Sequence, residues 1–246
     1  MIKKVKFSKF EILDSRNLKI SEFLLELTKA QTDRHLHFLA ASSLVAASRD
    51  SKLIPIFNSG YSFCDSAPLA RALRTRHKDF SNIRGSDFLR SILNMNNAHF
   101  RHFFIGPNEL TLNVLSNYAK NLDESTQIVG QLVPEYATDF SNYYSVWTKT
   151  ILDANADIVW IGLGSPKQDV LAKDLSEMTG RVCIAVGAAM EFVGGTRPEA
   201  PKIVQTLYLE WFFRLISNPR RLLKRYTVDN LIFIYLVLRY LFSASR

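Results

Sequence analysis

Apolar and polar positions follow two rhythms along this chain. Residues 3–14 alternate weakly, which predicts a short hairpin, and KISEFLLELTKA (19–30) has the spacing of an amphipathic helix. SSLVAAS (42–48) continues as helix, and LIPIF (53–57) reads as a strand. SAPLARALRTR (66–76) opens with a serine cap and a proline in the first turn, and SDFLRSIL (86–93) starts a helix in the same way. A unit then repeats. The apolar runs HFFIG (102–106), STQIVGQ (125–131), DIVWIGLG (157–164) and RVCIAVG (181–187) predict strands. Helical patterns at about 108–121, 141–155 and 166–178 separate them. Alternating strands and helices imply an α/β fold with a parallel sheet. Right-handed crossovers put its strand-to-helix turns on one edge, where ligands bind.

The last 40 or so residues differ. TLYLEWFFRLISNPRRLLKRYTVDNLIFIYLVLRYLFSASR is aromatic, aliphatic and basic, and Asp229 is its only acid after Glu210. It reads as a helical appendage, residues 204–246, on a domain of residues 1–203. Arg214, Arg221 and Arg225 fall at i, i+7 and i+11, with Arg220 and Lys224 beside them and Trp211, Phe212, Phe213, Leu222, Leu223 and Tyr226 between. A basic amphipathic segment with aromatics suits an anionic membrane surface; a solvated basic face with an oligomer contact is the other reading. The apolar run 231–238 is interrupted by Arg239, short of the roughly 20 residues a spanning helix needs, but long enough to lie in the interface.

Composition narrows the classes. The 246 residues are 47% hydrophobic and 22% charged, enough for a full core, and the net charge is +8. A basic chain suits nucleic acid, membrane or phosphorylated substrates. Nucleic acid ranks low, because the bases cluster with large aliphatics. Cys64 and Cys183 have no metal-ligand spacing and read as reduced, half-buried thiols. MIKKVKFSKFEILD lacks the apolar segment of a secretory signal. His35 and His37 share one face of a strand, which suggests a surface or pocket-rim role rather than a metal site.

The turn in IVWIGLGSPKQD (158–169) carries the candidate chemistry. Ser165 reads as an N-cap and Pro166 as the first helical residue, so that free amides and the helix dipole face an anion at the sheet edge. Lys167 adds a cation and Gln168 a neutral reader of hydroxyls or amides. A nucleotide diphosphate or a sugar suits such a site. The stretch is neither a Walker loop nor a dinucleotide fingerprint, which disfavours an oxidoreductase. Gly187, Gly194 and Gly195 read as tight turns, Gly187 ending a strand at the same edge. Trp147 and Trp160 read as core.

ADIVWIGLGSPKQD, then VCIAVGAAMEFVGGTRPEAP, then LYLEWFFRLISNPRRLLKRY, in that order and spacing, closely resemble the WecG/TagA/CpsF family of bacterial glycosyltransferases. The likeness is specific from about Ser86 to Tyr226 and traceable to about residue 40. It implies a Rossmann-like domain with an appendage, and inverting transfer of a hexose or N-acetylhexosamine from a UDP-sugar. The acceptor implied is a polyprenyl-pyrophosphate-linked saccharide of exopolysaccharide or cell-wall polymer synthesis. No metal or other cofactor is essential to such transfer.

By the same resemblance the protein is cytoplasmic and peripheral on the inner face of the bacterial plasma membrane, with self-association possible. The family's DGxPL aspartate matches Asp65 in CDSAPLARAL, as the base; read locally, Asp65 caps the helix near Ala67. Arg214 and Arg221 match the arginines that meet the diphosphate. Gly162, Gly164, Ser165, Lys167, Gln168 and Gly187 line the donor pocket, with Glu191 at the family's frequent FD aspartate.

The N-terminal half departs from the pattern. Ser66 replaces the glycine after the base, and HFLA (37–40) lacks the Thr and Asn of TxN. Asn82 takes the place of the RVxG arginine, for which Arg84 is the substitute. Glu199 takes that of the RAP arginine, with Arg197 nearby. These departures imply either a different sugar or a noncatalytic nucleotide-sugar-binding or assembly protein built on the same fold.

Overall fold

The computed structural model describes residues 2–94, 100–135, 140–201, 204 and 219–243, with 219–227 described by backbone alone. Eight strands form one sheet: β1 (Lys4–Phe7), β2 (Phe10–Leu13), β3 (His35–Leu39), β4 (Tyr61–Cys64), β5 (Arg101–Ile105), β6 (Gln127–Leu132), β7 (Ile158–Ile161) and β8 (Val182–Ala185). Their order is β1-β2-β4-β3-β8-β7-β5-β6. The first two make the expected antiparallel hairpin, and every other neighbour is parallel. A register shift between His102 and Phe103 bends the pairing of β5 with the edge strand β6.

Strand periodicity builds three layers. Leu36, Phe38, Phe63, Phe104, Ile158, Trp160, Val182 and Ile184 point to one face. There they meet helices α1 (Ile20–Lys29), α5 (Gly85–Leu93), α6 (Glu109–Leu122) and α9 (Ala189–Gly194). Leu39, Cys64, Val159, Ile161, Cys183 and Ala185 point to the other. That face is covered by α2 (Ala41–Arg49), α3 (Leu53–Ser59), α4 (Ala67–Arg74), α7 (Tyr144–Asp153), α8 (Lys167–Thr179) and α10 (Pro219–Phe242). The α/β expectation with a parallel sheet therefore holds, as does the core assignment of Trp147 and Trp160. Helix α10 packs on this face with Phe233 and Tyr240 buried beside α2 and α4 residues.

Several local expectations are corrected. LIPIF forms α3, not a strand; the strand is the following YSFC. Leu53 and Phe57 are buried one helical turn apart while Pro55 is exposed, whereas a strand would have turned all three to one face. Pro55 is the third residue of the helix, where its missing N–H has no partner to lose. Ser66 caps α4 as expected, accepting from Leu69 N, but Ser86 does not cap α5. That helix begins at Gly85, and the Ser86 hydroxyl donates to Glu199 instead. Both cysteines are free and fully buried, not half-buried, and burial pushes the Cys64 thiol up to about 12. Gly194 is not in a turn. It lies in α9, where a Cβ would come 3.2 Å from Leu115 N on α6.

Gly60, just before β4, permits a close approach to a central strand. A Cβ there would lie 2.4 Å from the His35 carbonyl oxygen and 2.3 Å from His35 Nδ1. Neither the central strand backbone nor a buried ring can move aside. Gly60→Ala is expected to destabilise the fold by about 1–3 kcal/mol through overpacking, read as a lower urea midpoint at unchanged slope.

Candidate active site

The strand order reverses between β3 and β8. The chain leaves β3 into α2 on one face, and leaves β8 into α9 on the opposite face. Neighbouring parallel strands whose connections diverge leave a crevice outside their carboxyl ends, where ligands of open α/β sheets bind. Four adjacent strands, β4, β3, β8 and β7, deliver their exits to this edge. Asp65 follows β4, Ala40 follows β3, Gly187 lies two residues beyond β8, and Gly162 follows β7. Adjacent strands lie about 4.8 Å apart, so Asp65 and the Gly162–Gln168 turn flank the crevice about 14 Å apart at strand level. Side chains and a substrate can bridge that span.

Asp65 is half-buried, with its own N–H on the Leu39 carbonyl at 3.1 Å. Its Oδ1 accepts the N–H of Gly85 at 3.0 Å. The carboxylate thus sits at the first turn of α5, while Ser66 caps α4. The local reading of Asp65 as the α4 cap is corrected accordingly.

Glu199 is surrounded by cations. Its Oε1 lies 2.9 Å from Arg84 Nη1 and 3.0 Å from the Ser86 hydroxyl, and its Oε2 lies 2.5 Å from Arg90 Nη2. Burial alone would raise this carboxyl. The Arg90 hydrogen bond, the Arg84 and Arg90 charges and the Ser86 bond outweigh it, holding Glu199 below the usual carboxylate range. Arg84 is therefore brought to this side of the crevice already paired with an acid. Glu191, in α9, pairs with Arg197 at 3.6 Å.

The donor-side turn closes on itself. The Ser165–Pro166 peptide is cis, and α8 begins at Lys167 with Pro166 in the cap position. Ser165 is not the cap, and its hydroxyl is buried without a hydrogen-bond partner. Capping falls to a reciprocal pair. Gln168 N–H donates to the Gly164 carbonyl at 3.1 Å, and Gly164 N–H donates to Gln168 Oε1 at 2.9 Å. Asp169 N–H is held by the Pro166 carbonyl at 3.1 Å. Fewer amides are thus left for an anion than the spacing implied.

Gln168 is buried and lies against Gly187, whose φ of 60° places it in the left-handed region. A Cβ on Gly187 would come 3.3 Å from both terminal atoms of Gln168. One on Gly162 would come 2.6 Å from Met190 Sδ. The loops after β7 and β8 are therefore locked together. Gly164, with φ of 85°, has nothing within 4 Å of its Cβ position and faces open space.

His35 and His37 are not at a rim; both are buried on β3, under α8. His37 Nδ1 lies 2.9 Å from Asp169 Oδ1, and His37 Nε2 lies 2.8 Å from His35 Nδ1. An ionised Asp169 only accepts, so His37 donates from Nδ1, accepts at Nε2, and receives the Nδ1 proton of His35. One carboxylate thus fixes both tautomers. Nothing in the sequence near His37 announced its partner, 132 positions away; the acid ending PKQD was the visible trace. Arg214 lies outside the described residues, and of Arg221 only the helical backbone is described. Among the described residues no cluster of His, Cys, Asp and Glu could hold a metal ion.

Burial holds His35 neutral down to about 3, helped by the charge of Lys173, and burial holds His102 neutral down to about 4. Above about pH 6.5 these groups are neutral both folded and unfolded, so their full contribution to stability is present. As pH falls below that value, only the unfolded chain takes up their protons. Stability should then fall by up to about 1.4 kcal/mol per pH unit for each group. His102 accepts from Trp160 Nε1 at 3.0 Å. His102→Asn keeps an acceptor but no titrating ring, so it should lessen the fall in urea midpoint between pH 7 and 5. An unchanged fall would refute this assignment.

The sequence model of the glycosyl transferase WecG/TagA/CpsF family matches residues 7–246, nearly the whole chain. A sheet-edge crevice with an aspartate on one side and a closed glycine turn on the other is consistent with group transfer between two bound substrates. The chain belongs to the WecG/TagA/CpsF family of glycosyl transferases, enzymes that take a nucleotide-sugar donor and a saccharide acceptor.

Proposed function

We propose that this transferase is an inverting enzyme that moves a sugar from a UDP-sugar to a polyprenyl-pyrophosphate-linked saccharide at a membrane surface. The observation that carries the reading is Asp65 on one side of the switch-point crevice and the Gly162–Gln168 turn on the other. The acceptor hydroxyl oxygen attacks the anomeric carbon. The bond from that carbon to the diphosphate oxygen breaks on the opposite face, and its electron pair leaves with UDP. Asp65 takes the hydroxyl proton.

Gly162, Gly164, Ser165, Lys167 and Gln168, with Gly187 and Glu191, form the donor side, and Arg84 its far wall. Arg214 and Arg221 of the 204–246 appendage stabilise the departing diphosphate. The exposed apolar residues of α10 support membrane docking. Val228, Leu231, Ile234, Tyr235, Leu238 and Phe242 follow one another at helical spacing on the face turned away from the core. No helix among the described residues is long and apolar enough to cross a membrane. The pairing of Arg84 with Glu199 favours a second reading, a noncatalytic nucleotide-sugar-binding protein, because it removes a free cation from the pocket.

A panel of UDP-sugars with a lipid-pyrophosphate-linked sugar acceptor separates the two. Acceptor-dependent UDP release from one donor is expected. Asp65→Asn should lower it by about 10²–10⁴-fold, as for loss of a general base. Binding of UDP-sugars without turnover would favour the second reading. Docking is checked separately by flotation with anionic liposomes. Leu231→Asp/Leu238→Asp should abolish flotation of the full-length chain, and retained flotation would rule out the α10 face.

A further inference from the structure

The Asp169–His37 bond joins parts of the molecule that the crevice separates. Asp169 lies in the first turn of α8, directly after Gln168, and belongs to the β7 connection. His37 lies on β3, the strand beside β4 and Asp65. Between β7 and β3 runs β8, where Ala185 stands in register with both His37 and Ile161. The Asp169 side chain therefore reaches across the switch point to the other half of the sheet. Every member is buried, and the chain of bonds continues from His37 to His35 at 2.8 Å. Asp169 Oδ2 is buried without a hydrogen-bond partner, so Oδ1 on His37 carries the carboxylate's charge-assisted bond.

Burying a carboxylate with one oxygen unsatisfied is destabilising beside a well-packed apolar pair. A polar tie in this position does one thing that an apolar contact does not: its direction and length are fixed. We infer that His37 and Asp169 are positioning residues, a buried tie across the switch point that sets the donor turn at a fixed separation from Asp65. The inference rests on reading the crevice as the transfer site.

The test combines kinetics with a distance measurement that does not depend on turnover. Cys64 and Cys183 are fully buried, so spin labels can be placed at Arg71→Cys on α4 and Met178→Cys on α8, both exposed positions. The wild type should give one narrow distance distribution. His37→Phe breaks the tie, and its ring has the Phe57 ring to pack on, now 5.4 Å from the imidazole. It leaves His35 Nδ1 without an acceptor, so His35→Leu/His37→Phe is the second variant, which removes that group as well.

Both variants should broaden or shift the distribution. Both should also lower kcat by about tenfold or more, as for a misplacement of an ångström or less, while the Kd for UDP stays within about threefold. Asp169→Asn keeps an oxygen acceptor for the His37 Nδ1 proton and should behave as wild type in all three readouts. A distribution unchanged in both breaking variants would overturn the inference. So would unchanged kcat in a transferring enzyme, or equal losses of UDP affinity and kcat. If the wild type transfers no sugar at all, the transfer reading fails by itself, and the distance measurement still decides whether the tie holds the two halves in place.

Discussion

Two parallel strands, β3 and β8, lie side by side, and their chains depart to opposite faces of the sheet. From that constraint the rest of the molecule follows. Helices α2 and α9 cannot meet above the sheet edge, so a cleft opens between them. Loops that would otherwise be ordinary connections become its walls. The layers beneath it are rigid: Trp160, Phe63, Phe88 and Phe104 fill one face, and small or aliphatic residues of β7 and β8 fill the other. A wall built on such strands inherits their precision, and the glycines at 162 and 187 let two of the walls touch at backbone distance.

The charges around the cleft are arranged unevenly. Two arginines and a serine hydroxyl converge on Glu199, on the α5 side, and Arg90 also lies 3.6 Å from Asp87. The donor-side turn keeps its own amides partly engaged through Gln168, and Lys167 stands at its helix start. Half-buried pairs of this kind contribute more to orientation than to stability, because desolvation offsets most of their attraction. Their effect is to fix where a guanidinium points before any substrate arrives.

The sheet was legible from residues 102–187 because β5, β7 and β8 are buried on both faces and read as continuous apolar runs, such as IVWI and VCIA, between glycines and amphipathic helices. The N-terminal half was harder. LIPIF has the composition of a strand, and only the burial of Leu53 and Phe57 one turn apart reveals a helix. Serine before an apolar run is a fair signal for a cap and was right at Ser66. It failed at Ser86 and Ser165, where Asp65 accepts the first amide of α5 and the Gly164 and Pro166 carbonyls take those of Gln168 and Asp169 in α8. The sheet-edge places of Gly162, Gly164 and Gly187 followed from motifs that end strands, and that of Asp65 from the family resemblance. The burial of His35 and His37 did not, because their partner is held by tertiary packing that local spacing does not encode.

The two borders of the sheet have a consequence for crowding. An open strand is a template for pairing with another chain. On one border β1 carries Lys4 and Lys6 outward, and two such edges brought together would repel each other. On the other, β6 carries Gln127 and Gln131 and leaves its neighbour through an irregular register at His102 and Phe103. Neither border offers a flat apolar row. Many copies gathered on a small area would accordingly remain separate molecules rather than merge strand by strand into a fibre.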